Sequence, residues 1–171
     1  DEMAGRIEDA EFSFDQDLKV GIEAMAGRLD TVVFHSRLGS LAAKTARLQR
    51  LVTIIADLLK LDGPDRQNAA AAARLAKADQ VSVMVQEFSD LEGYMGSVYA
   101  RLEGYTADIC TAIEEHYLPL FSGGEVPSTV TGAMLAIADK VDNLIGAFSV
   151  DELPSGSRDP YGLRRAAAGI T

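Results

Sequence analysis

Four residues stand where they could do chemistry together: His35, Asp79, His116 and Asp139, each at or within a different predicted helix. Imidazole and carboxylate groups arriving from separate helices are how bundles build metal sites, and a bound metal lowers the pKa of its water and turns it into a nucleophile. The chain has 2 histidines, so these are all the imidazoles available. Asp139 lies in Leu135-Ala136-Ile137-Ala138-Asp139-Lys140-Val141-Asp142 and Asp79 in Leu75-Ala76-Lys77-Ala78-Asp79, settings in which a buried carboxylate needs a partner. The competing expectation is that each acid meets a lysine, a helix cap or solvent, since most acids on helices face water. There is no zinc-ligand cysteine pair, no Gly-rich phosphate loop followed by Lys and Ser/Thr, and no Gly-x-Ser-x-Gly elbow. Cys110, between Ile109 and Thr111, reads as a buried structural thiol, because a nucleophile needs a base or cation beside it.

The elements that must position these residues are helical. Leu38, Leu41, Leu48, Leu51, Ile55, Leu58 and Leu59 recur at three- and four-residue spacing up to the Gly63-Pro64 stop. An alanine-rich run follows and predicts one helix from Gln67 to about Val85, with Asp65 as N-cap. Further helices are predicted over Asp90–Leu102 and Thr106–Tyr117. A long one capped by Ser128 or Thr129 points Met134, Leu135, Ala138, Val141, Leu144, Ile145 and Phe148 inward. Leu153–Ser157 reads as a loop, and Asp159-Pro160 opens a last helix through Gly169. Before Leu38 two helices are expected, around Ala4–Leu18 and Gly21–Leu29, then Val32-Val33-Phe34, which can be extended. The fold class is all-α.

With 171 residues, 47% apolar and 25% charged, the chain has the balance of one globular domain. No apolar run approaches the roughly 20 residues a membrane crossing needs. One cysteine permits no intrachain disulfide and fits a reducing, cytoplasmic compartment. The opening Asp1-Glu2-Met3 and the ending Ala168-Gly169-Ile170-Thr171 suggest a segment of a longer polypeptide, monomeric in isolation. Lys plus Arg number 16 against 26 Asp plus Glu, a net charge of −10 that repels phosphate, so any nucleic-acid contact must be local. Between Asp30 and Asp57 there is no acid, yet Arg37, Lys44, Arg47 and Arg50 stand there, and a helix gathers the last three into a basic stripe. Arg158, Arg164 and Arg165 form a second patch. Arginine suits phosphate through its two-pronged donor geometry, although both patches could instead pair with the abundant acids or cover neighbouring domains. Tyr94, Tyr99, Tyr105 and Tyr117 could stack on bases, but at helical spacing core packing is the expected role.

The Ala78-Asp79 pair in a helix, followed by Gly124-Glu125-Val126-Pro127 and Leu-Ala-Ile-Ala-Asp139, resembles the HD-domain superfamily of metal-dependent phosphohydrolases. That resemblance implies an HD-type helical bundle with metal-ligand positions at His35, Asp79, His116 and Asp139. Ala78 stands where the doublet's histidine would be, leaving the set one ligand short. As a free-standing enzyme the chain would be a nucleotide phosphohydrolase with His35, Asp79 and Asp139 on one metal.

A broader resemblance covers nearly the whole chain. Phe14-Asp15-Gln16-Asp17-Leu18, Val33-Phe34-His35-Ser36-Arg37-Leu38-Gly39-Ser40-Leu41, Ala76-Lys77-Ala78-Asp79, Glu114-Glu115-His116-Tyr117-Leu118-Pro119, Val126-Pro127-Ser128-Thr129, Leu135-Ala136-Ile137-Ala138-Asp139-Lys140 and the stretch Gly156-Ser157-Arg158-Asp159-Pro160-Tyr161-Gly162-Leu163-Arg164-Arg165-Ala166-Ala167 resemble, in order, the β subunits of bacterial heterotetrameric glycyl-tRNA synthetases. The resemblance implies an internal HD-like domain over residues 1–155, with 156–171 beginning an anticodon-binding region. It also implies partners, namely tRNA(Gly), an α subunit and other β-subunit domains, and no membrane. The α subunit would use ATP and Mg to make glycyl-adenylate, while this segment, itself without catalytic residues, bound metal or cofactor, would bind tRNA and act as a scaffold.

Overall fold

The computed structural model describes residues 2–171. Helices α1 (Glu2–Val20) and α2 (Ile22–Ala26) lead into an antiparallel hairpin, β1 (Val33–His35) with β2 (Gly39–Ser40), in which Val33 pairs with Ser40 and His35 with Gly39. Then come α3 (Leu41–Leu59), α4 (Pro64–Leu75), α5 (Val83–Glu87), α6 (Tyr94–Leu102), α7 (Ala107–Glu115), α8 (Val130–Ser149) and α9 (Leu163–Ala168). The all-α class is therefore correct, and the extended stretch before Leu38 is β1.

Hydroxyl caps fix where the long helices start. Ser40 Oγ accepts from Ala43 N at 3.2 Å ahead of α3, and Thr129 Oγ1 accepts from Gly132 N at 2.9 Å ahead of α8. Asp65 does not cap α4; Gly63, at φ +73°, is the N-cap and Pro64 takes the first turn, where a missing N–H costs nothing. Asp159 caps α9 from farther back than expected, its carboxylate accepting from Leu163 N at 2.8 Å and Arg164 N at 3.0 Å.

The alanine run is the hub. α4 packs against α3, α7 and α8, and its Ala69, Ala72 and Ala73 are completely buried. Small side chains let three helix backbones close in around one, while Leu48, Val52, Ile113, Met134 and Leu135 fill the space between them.

The helix expected from Gln67 to Val85 breaks at Leu75, because side chains distant in sequence offer its backbone better partners. Asp17 of α1 is buried and accepts from Val83 N at 2.8 Å, Met84 N at 2.9 Å and the Tyr99 hydroxyl at 2.7 Å, so α5 begins afresh there. Residues Ala78–Val81 form a 3-10 turn between the two helices. Asp79, on that turn, accepts through Oδ2 from Gly93 N at 2.7 Å and Gly96 N at 2.9 Å, capping α6. Gly96 is where this turn meets α6, since a Cβ there would lie 2.9 Å from Ile113 Cγ2 and 3.2 Å from Asp79 Cγ. Gly96→Ala is expected to cost about 2 kcal/mol through overpacking, read as a lower urea midpoint; an unchanged midpoint would contradict this packing.

The inward face expected of α8 holds only in part. Met134, Leu135 and Ala138 are buried, but Ile145 and Phe148 are more than 60% exposed, because neighbours surround this helix over Thr131–Asp142 and thin out beyond. Leu58, Leu59 and Tyr94 are likewise exposed, whereas Tyr99 is core. Leu163 and Ala166 of α9 are buried, and this helix packs against α8.

Candidate functional site

Breaking the chain after α4 turns Lys77 inward. Its ammonium lies 2.8 Å from His116 Nε2, 3.4 Å and 3.5 Å from the two oxygens of Asp139, and 4.0 Å from the centroid of the Tyr117 ring, all within the interior. His116, at the C-terminus of α7, directs Nδ1 at Ile113 O at 2.6 Å. That contact puts the proton on Nδ1 and leaves the Nε2 lone pair to accept from Lys77. Burial, with the Lys77 charge beside it, pushes the imidazole pKa down to about 3, so His116 is neutral. Burial by itself would raise Asp139, but Lys77 and Lys44 hold it below the usual carboxylate range. Burial lowers Lys77 itself.

The basic stripe expected on α3 is not a surface feature. Lys44 is 2% exposed, and its ammonium sits 2.9 Å from Asp142 Oδ2, 2.7 Å from Asn143 Oδ1, 3.1 Å from Asp139 Oδ1 and 4.6 Å from the centroid of the Phe34 ring. Arg47 grips Asp142 with two nitrogens, at 2.5 Å and 3.2 Å. The bases at 44 and 47 on α3 thus meet the acids at 139 and 142 on α8, two pairs of equal spacing on facing helices. Lys44 is consumed by the interior, and only Arg50 of the three is exposed without an ion pair among the described residues.

The four expected metal-ligand positions split up. His116 and Asp139 are together, with Lys77 between them. His35 faces elsewhere, Nε2 standing 3.1 Å from Glu152 Oε1 while Nδ1 accepts from Arg37 N at 3.1 Å. Asp79 is fully buried, with Oδ2 on the α6 backbone and Oδ1 lacking a hydrogen-bond partner; burial pushes its pKa up to about 6 against those two N–H donors. Ala78 donates nothing. A divalent ion would compete with Lys77 for His116 Nε2 and enter a cluster where three cations already face two carboxylates. The residues present do not fit a catalytic metal, and no cluster of three or more His, Cys, Asp or Glu placed to hold one occurs among the described residues. Cys110 is buried, near Tyr105 O at 3.7 Å, and burial raises its pKa, the setting of a structural thiol.

Outside this interior lie the other expected contact residues. Arg158 and Arg164 are exposed, and their side chains make no ion pair or hydrogen bond among the described residues. Arg165 donates to Leu120 O at 3.1 Å and Arg37 to Val150 O at 2.8 Å, both remaining exposed. No helix among the described residues is long and apolar enough to cross a membrane.

A profile of the family described as glycyl-tRNA synthetase beta subunit matches residues 3–171. The chain belongs to that family. It is 46% identical over 168 residues to the protein named glycine-tRNA ligase beta subunit of Neisseria gonorrhoeae (strain ATCC 700825 / FA 1090), covering 98% of this chain and 24% of the relative. To the protein of the same name of Bacillus subtilis (strain 168) it is 43% identical, covering 98% of this chain and 25% of the relative. The chain thus spans about a quarter of the length of these glycyl-tRNA synthetase β-family relatives. The expectation drawn from the seven sequence blocks is correct at the level of family.

Sequence reasoning missed Lys77, Asp142, Asn143, Glu152 and Asp17. The matched spacing of Lys44/Arg47 and Asp139/Asp142 was a readable signal for the second of these. Lys77 carried none, because no acid or imidazole stands at a spacing that pairs with it along the chain.

Proposed function

We propose that this chain is an HD-like helical domain of a glycine-tRNA ligase β subunit, a binding and scaffold module in which a buried lysine has taken the place of catalytic metal. Residues 156–171 would lead into the anticodon-binding region. Glycine activation, with ATP and Mg, would belong to the α subunit in the cytoplasm, and tRNA(Gly) would be the common partner. The observation that carries this reading is the Lys77 ammonium between His116 and Asp139 in a chain of this family. It makes the interior an inert ion-pair core and leaves the surface arginines as the groups free to meet phosphate.

The test uses full-length β subunit with α. Replacing Arg50, Arg158 and Arg164 together by alanine is expected to weaken tRNA(Gly) binding about ten-fold or more and to flatten the slope of log K against log salt by about two units, as lost phosphate contacts release fewer counterions. Glycine-dependent ATP–pyrophosphate exchange should stay unchanged. Unaltered affinity and slope would remove these arginines from tRNA contact and, with them, the binding role.

A further inference from the structure

Beside the ion-pair core, the hairpin and the chain after α8 enclose a cleft of about 220 Å³ lined by Phe34, His35, Leu38, Asn143, Glu152 and Tyr161, among others. It suits one flat ring system rather than a drug-sized ligand, and Phe34 and Tyr161 give it aromatic walls. Two polar groups on its lining are pre-set by partners behind them. Asn143 Oδ1 accepts from buried Lys44, which turns the amide so that Nδ2, a donor, has no partner among the described residues. His35 Nδ1 is fixed by the Arg37 backbone, so Nε2–H donates to Glu152 Oε1 and orients this carboxylate as an acceptor on the cleft lining, next to the exposed Tyr161. The cleft therefore offers one fixed donor and one charged acceptor beside an aromatic face.

It is also one link in a row. A neighbouring cleft shares Leu38 and contains Arg47 and Arg50. On the other side, a cleft sharing Asn143 and Tyr161 contains Arg165, and the next one shares Pro119 and Arg165 with it and adds Arg164. On a chain of net charge −10, a series of adjoining hollows edged by arginine complements a phosphate backbone with bases turned inward.

We propose that the Phe34–Tyr161 cleft is a cup for one unpaired nucleobase of the bound tRNA, a base carrying an exocyclic amine. The amine donates to Glu152, a ring nitrogen or carbonyl accepts from Asn143, the ring stacks on Tyr161, and the flanking phosphates follow the arginines. This rests on the tRNA-binding reading above and adds to it the kind of base that is held.

The test is fluorescence anisotropy on the α and full-length β assembly with labelled single-stranded tetracytidylate and tetrauridylate. Tetracytidylate is expected to bind about ten-fold tighter than tetrauridylate, whose carbonyl would face the Glu152 carboxylate. Glu152→Gln keeps the shape but can present an amide donor where the acceptor stood, so it should erase or invert the preference, an effect a merely structural role would not produce. Tyr161→Ala should weaken tetracytidylate about ten-fold by loss of stacking. Equal binding of the two oligonucleotides, a preference that neither substitution alters, or free CMP binding as tightly as the tetranucleotide would each overturn the proposal, the last by assigning the cleft to a free nucleotide. If the triple arginine variant loses tRNA while the cytidine preference is absent, the cup is wrong and the binding role stands; if tRNA affinity is also unmoved, both fail.

Discussion

Asp139→Ala is expected to remove about 3–5 kcal/mol of unfolding free energy at neutral pH, the magnitude seen when one partner of a buried ion pair is deleted. Lys77 loses its one ion-pair partner among the described residues and is left with His116 Nε2 and the Tyr117 ring, and Lys44 is left with Asp142 and Asn143. Replacing charge on both sides separates this account from simple loss of packing. Lys77→Met combined with Asp139→Leu removes the pair and refills its volume, and is expected to recover most of the loss, since a buried pair exchanged for apolar residues is often neutral. Urea unfolding of the three proteins decides it. A loss below about 1 kcal/mol for the single variant would mean that the cluster is not held by this pairing.

The second large effect is in acid. His116 has a folded pKa of about 3 against an ordinary value of 6.5, so between those pH values the unfolded chain binds one more proton and stability falls as pH falls. Asp79 has the opposite sign: its folded pKa of about 6 lies above the ordinary 3.8, so between them the native chain binds the extra proton and stability falls as pH rises. From about pH 4 to pH 6 these two slopes oppose and nearly cancel. Below about pH 4 Asp79 no longer contributes a slope, while depressed Asp139 adds its own loss to that of His116. Asp79→Asn keeps an oxygen for Gly93 and Gly96 but removes the compensating titration. It should therefore lose up to about 1.4 kcal/mol per pH unit relative to the native chain on going from pH 6 to pH 4, about 2 kcal/mol in all because the slope halves at each end. Parallel stability profiles for the two proteins across that range would refute the assignment.

What the sequence by itself determined follows from short-range physics. Apolar spacing, the hydroxyl cap at Thr129 and Gly/Pro punctuation define α3, α7 and α8 from the sequence, because those signals act within a turn or two of the residue that carries them. Family membership was legible for a related reason, since it rests on ordered blocks of residues along the chain. The tertiary structure decided where the helix after α4 breaks, because Asp17 supplies its hydrogen bonds from a distant helix. It decided that Asp79 caps α6 and that Lys44 faces inward while Arg50 faces out. It placed Lys77 between His116 and Asp139, turning a set of residues that spelled a metal site into a salt-bridged interior. Burial, and with it the charge state of every group in that cluster, is set by which helices close around a side chain, and no local pattern of residues encodes that.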